Sequence, residues 1–168
     1  MTIRELLNKN LVEIGTELYS KEEALDELIR LQKDSGAIHN VNALKREISE
    51  REKAGNTAIA CRIAIPDVAH SGSAHTAISA ITVKNGVDYG APDSRPVRLI
   101  FMIAGKSGSD EHIHVKERLQ KLLADPGFTA QLCSAKSRKE FLDLIEDREK
   151  RLRTVHEPSG QVCPNRFP

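Results

Sequence analysis

Asp67 stands where side chains often do chemistry in α/β proteins. It directly follows Pro66 and the apolar, β-prone segment 59–65. A polar residue after a buried strand lies at the edge of a sheet, where ligand-handling groups are common. Asp is also a routine turn residue, so the sequence leaves open a plain turn at this point.

Two histidines, His70 and His75, lie in the Ser- and Gly-rich loop that we predict after Asp67. A neutral imidazole is a competent nucleophile near pH 7, so either ring could react if the loop folded back accurately. Together with Asp67 and His112, these two histidines also offer side chains that suit zinc, but their spacing across a loop is unspecific. We therefore predict no metal and no cofactor.

The composition excludes several classes of partner. The chain carries 25 basic and 24 acidic residues over 168 positions, so its net charge does not favour nucleic acid or an anionic membrane. The apolar run at residues 99–104 is too short to cross a bilayer, and residues 1–18 lack the apolar core of a signal peptide. Three distant cysteines suit reduced thiols. These features predict a cytoplasmic protein without membrane insertion or nucleic-acid binding.

Apolar patterning predicts interleaved strands and helices around one sheet. The strands are expected at residues 10–18, 59–65, 77–83 and 97–104. The helices are expected after the capping residues Ser20, Asn42, Asp110 and Ser137. Asn85-Gly86 predicts a tight turn. This pattern indicates an α/β domain with helices on both faces of the sheet, at residues 1–150, and a loose tail at 151–168.

Five short segments follow one another in a recognisable order. They are residues 21–24 (Lys-Glu-Glu-Ala), 51–52 (Arg-Glu), 63–66 (Ile-Ala-Ile-Pro), 95–97 (Arg-Pro-Val) and 111–113 (Glu-His-Ile). In order and spacing they resemble the bacterial phosphotransferase system (PTS) IIA proteins of the fructose/mannitol and nitrogen-regulatory type, over residues 5–150. The resemblance implies a single three-layer α/β domain with a mixed β-sheet flanked by helices on both faces. It also implies a phosphocarrier, or a regulator that senses phosphate.

The resemblance further implies which residues form the site. In the family the residue after Ile-Pro is the histidine that carries the phosphoryl group, and here that residue is Asp67. His112 matches a second histidine of the family, at a helix N-terminus whose field suits an anion. Taken alone, His112 could equally be a surface residue of the first helical turn. With Asp67 in place of the imidazole, we expect a hydrogen bond between these two residues.

A carboxylate at this position weakens ordinary phosphocarrier chemistry. It repels an incoming phosphoryl group, and its oxygen lies further back than the reacting nitrogen of an imidazole. We therefore predict a regulatory or degenerate PTS IIA protein in which Asp67 partly imitates the phosphorylated state. The alternatives are an active phosphocarrier that uses His70, His75 or Asp67, and a metal-dependent enzyme. The expected partners are the histidine-containing phosphocarrier protein, a IIB-type domain or a regulatory target.

Overall fold

The computed structural model describes residues 2–70, 73 and 75–154. In this part of the chain, helices and strands are interleaved. The helices are α1 (Ile3–Leu6), α2 (Lys21–Asp34), α3 (Val41–Ala54), α4 (Glu111–Leu122), α5 (Pro126–Ser134) and α6 (Arg138–Thr154), with a short 3-10 helix at Lys9–Leu11. The strands are β1 (Val12–Thr16), β2 (Ile63–Ala64), β3 (Asp67–His70), β4 (Ala77–Val87) and β5 (Val97–Lys106).

The five strands form one mixed sheet. Its order is β1-β4-β5-β2, and β3 also pairs with β5 on the same side as β2. The central pair, β4 and β5, is antiparallel, whereas β1, β2 and β3 join it in parallel. β5 is buried along almost its whole length, because helices cover both faces of the sheet.

Two apolar clusters separate the helices into layers. On one face α1, α4, α5 and α6 pack on the sheet around Phe101 and Phe141, whose ring centroids are 6.0 Å apart. On the other face α2 and α3 cover the sheet with Leu28 and Leu44. The predicted α/β fold, with a mixed sheet and helices on both faces, is therefore confirmed.

Two of the four predicted capping side chains, Ser20 and Ser137, cap their helices. Ser20 and Ser137 accept hydrogen bonds from the backbone N–H groups three residues later, both at 3.1 Å. The predicted cap at Asn42 is wrong, because Asn40 caps α3 by accepting from the N–H of Ala43 at 3.0 Å. An Asn side chain satisfies a free N–H of the first turn equally well from this earlier position.

Asn85-Gly86 does not form the predicted tight turn. β4 runs through both residues to Val87, with a shift in its pairing to β5 after Thr82. Gly86 has φ +72°, and a Cβ placed on it would lie 2.7 Å from the Cβ of Pro96. Gly86 therefore marks an irregularity within the strand, where positive φ and a close neighbour both require glycine.

The predicted reduced state is wrong for Cys61, which is disulfide-bonded. Cys133 is the free thiol among the described cysteines, and burial raises its pKa.

Cys61 and Arg62 form a strained turn just before β2. Their φ angles are 58° and 69°, a region that costs non-glycine residues about 1–2 kcal/mol. We expect Arg62→Gly to raise the free energy of unfolding by about 0.5–1 kcal/mol, after allowing for the extra freedom of glycine in the unfolded chain. Urea denaturation measures this gain. Arg62→Ala is the control, because it removes the same side chain and keeps the strain; an equal gain there would contradict the explanation.

The end of the chain leaves one prediction open. α6 continues to Thr154, and residues 155–168 lie outside the described part, so the tail and the domain boundary at residue 150 stay predictions. Among the described helices, none is long and apolar enough to cross a membrane.

Candidate functional site

Asp67 begins the second half of an interrupted edge strand. Ala64 pairs with Ile100 and Asp67 pairs with Ile103, so β2 and β3 keep the same register along β5. Pro66 lies in the gap and has no N–H, but its carbonyl accepts from the N–H of Ile103 at 2.8 Å. The loop predicted after Asp67 is therefore wrong as far as His70, because this segment is a strand.

Two cations approach the Asp67 carboxylate. One oxygen accepts a hydrogen bond from Lys116 Nζ at 2.8 Å and lies 3.8 Å from an Nη atom of Arg51. Lys116 belongs to α4 and Arg51 to the end of α3, so the two helical layers converge on one carboxylate. Asp67 is only 8% exposed. Because the carboxylate is buried, removing one of these cations would cost more than breaking an ordinary surface salt bridge.

His112 lies one helical turn before Lys116, on the same side of α4. Its Nδ1 atom is buried and has no hydrogen-bond partner among the described residues. Within the described residues no hydrogen bond joins His112 to Asp67, because the carboxylate bonds Lys116 instead. The expected bond between His112 and Asp67 is therefore wrong.

The first turn of α4 differs in other details from the prediction. The side chain of Asp110 makes no capping bond, and Ser109 instead accepts from the N–H of Glu111 at 3.1 Å. Glu111 accepts from the hydroxyl of Thr76 at 2.9 Å, which ties this turn to the start of β4. Ile113, in the same turn, is an apolar residue that is 45% exposed.

Gly105 allows the first turn of α4 to lie against β5. A Cβ at this position would be 2.6 Å from the Cβ of His112, an atom that cannot move without the helix backbone. We expect Gly105→Ala to push the first turn outward and to lower the free energy of unfolding by about 1–3 kcal/mol, the usual cost of overpacking. Urea denaturation measures the loss. Gly108→Ala is the contrasting variant: among the described residues nothing lies within 4 Å of its added Cβ, but its φ is +80°, so a loss there comes from backbone strain and not from overpacking.

His70 is separated from Asp67 by the strand itself. Successive side chains of a strand point to opposite faces, so residues three apart face opposite ways. The side chain of His70 is 0% exposed, and its Nδ1 lies 2.5 Å from a carboxylate oxygen of Glu47 in α3. Its Nε2 is also buried and has no hydrogen-bond partner in the part of the chain that the structure describes. A phosphoryl donor can reach this ring only if β3 moves.

His75 is exposed, in the segment before β4. Of His70 and His75, the two other candidates for a phosphoryl acceptor, His75 is the accessible one. The metal-site alternative required Asp67, His70, His75 and His112 to meet. Within residues 2–70, 73 and 75–154, no three side chains of His, Cys, Asp or Glu are grouped as metal ligands would be.

Residues 5–148, from α1 into α6, match the family model described as "Phosphoenolpyruvate-dependent sugar phosphotransferase system, EIIA 2". The chain belongs to this family. The matched residues include Asp67, Lys116 and His112, so the cluster at the edge strand lies within the PTS EIIA domain.

Two relatives within the PTS EIIA family have names that specify different substrates, fructose and mannitol. The PTS system fructose-specific EIIABC component of Bacillus subtilis is 33% identical over 151 residues, which is 89% of this chain but only 24% of that protein. The mannitol-specific phosphotransferase enzyme IIA component of Staphylococcus aureus strain MRSA252 is 25% identical over 148 residues, or 86% of this chain and 98% of that protein. The chain thus spans about a quarter of the fructose relative and nearly all of the mannitol relative.

Solved structures agree with the fold. The nitrogen regulatory protein IIA-Ntr from Neisseria meningitidis has a TM-score of 0.79 and 24% identity, over 85% of this chain and 98% of that one. Mannitol IIA from Escherichia coli, solved in complex with phosphorylated enzyme IIB, has a TM-score of 0.73 and 23% identity, over 84% and 99%. At these identities the likeness establishes the fold of the chain.

Sequence reasoning missed Lys116, which pairs with Asp67, and Glu47, which pairs with His70 on the opposite face of β3. Neither residue carries a motif, but helical spacing could have found both. Lys116 is four residues after His112, and Glu47 is four residues before Arg51, so each shares a helix face with a motif residue.

Proposed function

We propose that this PTS EIIA-type chain is a regulatory or degenerate member of its family, in which Asp67 replaces the phospho-accepting histidine. The proposal rests on one observation, the 2.8 Å hydrogen bond between Lys116 Nζ and Asp67. A carboxylate that already pairs with an ammonium group is a poor acceptor, because an incoming phosphoryl donor must first displace that cation.

The same ion pair supports partial imitation of the phosphorylated state. Lys116 and Arg51 are the kinds of side chain that bind phosphoryl oxygens, and here they hold the Asp67 carboxylate. A carboxylate carries one negative charge, whereas a phosphoryl group carries more charge and more acceptor oxygens. We therefore propose a protein with a fixed, intermediate charge at this site, which a partner meets without a phosphorylation cycle.

The partners we propose are a IIB-type domain, the histidine-containing phosphocarrier protein or a regulatory target. The structural neighbour from Escherichia coli, solved with phosphorylated IIB, supports a IIB-type domain. The match to a family model of the phosphoenolpyruvate-dependent sugar phosphotransferase system supports a role in that system, and we propose a cytoplasmic location with it.

An active phosphocarrier is the second candidate. His75 is exposed and could accept a phosphoryl group without any strand movement, whereas His70 is enclosed against Glu47. Asp67 itself could form an acyl phosphate only by giving up Lys116. Of these residues, His75 is the first to test.

A labelling experiment separates the two candidates. The chain is incubated with labelled phosphoenolpyruvate, enzyme I and the carrier protein, with the mannitol IIA component of Staphylococcus aureus as the positive control. We expect no stable label on the wild-type chain. Label that is lost in His75→Ala, His70→Ala or Asp67→Asn would instead establish an active phosphocarrier and locate its acceptor.

A further inference from the structure

We propose that Glu52 and Tyr89 are positioning residues for the Asp67 site, an inference that rests on the function proposed above. Glu52 lies in the last turn of α3, next to Arg51, and its side chain is only 7% exposed. Its two oxygens accept four hydrogen bonds in all. The donors are Lys21 Nζ at 2.8 Å, the Tyr89 hydroxyl at 2.8 Å, the N–H of Thr57 at 3.2 Å and the hydroxyl of Thr57.

These bonds fill the acceptor positions of a buried carboxylate. They come from α2, from the segment after α3 and from the connection between β4 and β5. A fully satisfied polar network of this kind favours one arrangement of its elements, since any displacement leaves a buried polar group without a partner. We name Lys21, Glu52, Thr57 and Tyr89 the Glu52 network.

The surroundings of Tyr89 keep its phenol protonated, so that its hydroxyl can donate a hydrogen bond. Its side chain is buried, and both burial and the nearby charge of Glu52 raise its pKa, so the phenol keeps its proton. Lys21 Nζ also lies 4.3 Å from the centroid of the Tyr89 ring, at the distance of a cation–π contact. Asn56 donates to the backbone carbonyl of Tyr89 at 2.8 Å, which holds the connection from a second side.

The Glu52 network reaches Asp67 by two backbone routes. On the first, Glu52 fixes the last turn of α3, and the adjacent Arg51 lies 3.8 Å from the Asp67 carboxylate. On the second, the carbonyl of Thr57 accepts from the N–H of Ile65 at 3.1 Å, two residues before Asp67. The network therefore holds both a cation of the site and the segment that leads into it.

A site variant that accepts phosphate makes this role measurable. In an Asp67→His background, we expect Tyr89→Phe to slow labelling by the phosphorylated carrier protein roughly tenfold, since small misplacements of reacting groups cost large factors in rate. Tyr19→Phe is the matched control, because Tyr19 is 76% exposed and lies outside the network. If Tyr89 acts through Arg51, the slowing should shrink to less than about twofold when Arg51→Ala is already present.

A second measurement does not depend on phosphate transfer. In the otherwise wild-type chain, Tyr89→Phe should shift the backbone amide NMR signals of Arg51, Ile65 and Asp67, whereas Tyr19→Phe should leave them in place. If Asp67→His takes no label, the predicted competence of the pocket fails, and the NMR signals alone decide the positioning role. Unchanged signals at those three residues, together with reduced stability, would overturn the proposal and leave the network a purely structural one.

Discussion

Asp67→His is expected to give a chain that accepts a phosphoryl group, which we propose the wild-type chain does not. A neutral imidazole is a nucleophile, and its reacting nitrogen reaches further than a carboxylate oxygen. Lys116 and Arg51, which now hold the carboxylate, would disfavour the charged imidazole and stabilise the incoming phosphoryl oxygens. We expect labelling from phosphoenolpyruvate, enzyme I and the carrier protein to rise at least about 100-fold, a factor that correct placement of a reacting atom commonly supplies.

Asp67→Asn is the control for this experiment, because it removes the charge without adding a nucleophile. It should stay unlabelled, and Asp67→His with His75→Ala should still accept label. A folded Asp67→His protein that takes no label would show that the pocket itself has lost its competence. In that case the contact between Lys116 and Asp67 would be one of several changes that remove phosphocarrier activity from this site.

Lys116→Met is expected to lower the free energy of unfolding by about 2–4 kcal/mol. The change leaves the Asp67 carboxylate, which is 8% exposed, with Arg51 at 3.8 Å as its remaining cation. Removing one partner of a buried ion pair costs about 3–5 kcal/mol, and the 23% exposure of Lys116 together with the remaining Arg51 reduces that figure. Urea denaturation measures the loss.

The chain offers a matched surface pair as the control. Lys139 makes a 2.8 Å ion pair with Asp143, but its side chain is 87% exposed, so Lys139→Met should leave the free energy of unfolding close to that of the wild type. Asp67→Asn combined with Lys116→Met should recover most of the lost stability, because the uncompensated buried charge is gone. A double variant as unstable as Lys116→Met alone would mean that the loss comes from packing of the lysine stem.

The two predictions together describe one side-chain pair with two roles. Lys116 is expected to stabilise the fold because Asp67 is buried, and in the proposed function the same contact occupies the oxygen that would face a phosphoryl donor. If both predictions hold, the exchange of nucleophile for ion pair accounts for the altered chemistry without any change in the fold of the family.

By itself, the sequence determined the layers of this protein. The apolar run of β5 requires cover on both faces, and the capping serines at residues 20 and 137 start α2 and α6 where predicted. These features depend on residues that are neighbours along the chain, so the local sequence pattern is enough to predict them. The order of five short segments likewise identified the family, because motif spacing survives where overall identity is low.

Tertiary structure alone decided what surrounds Asp67. No local pattern shows that an edge strand resumes after Pro66, since its pairing partner Ile103 is 36 positions away in the register. The choice of Lys116 over His112 as the partner of Asp67 follows from how α4 packs against β5, and the Glu52 network joins three separate parts of the chain. Contacts of this kind depend on packing between distant segments, so they become visible only once the layers are assembled.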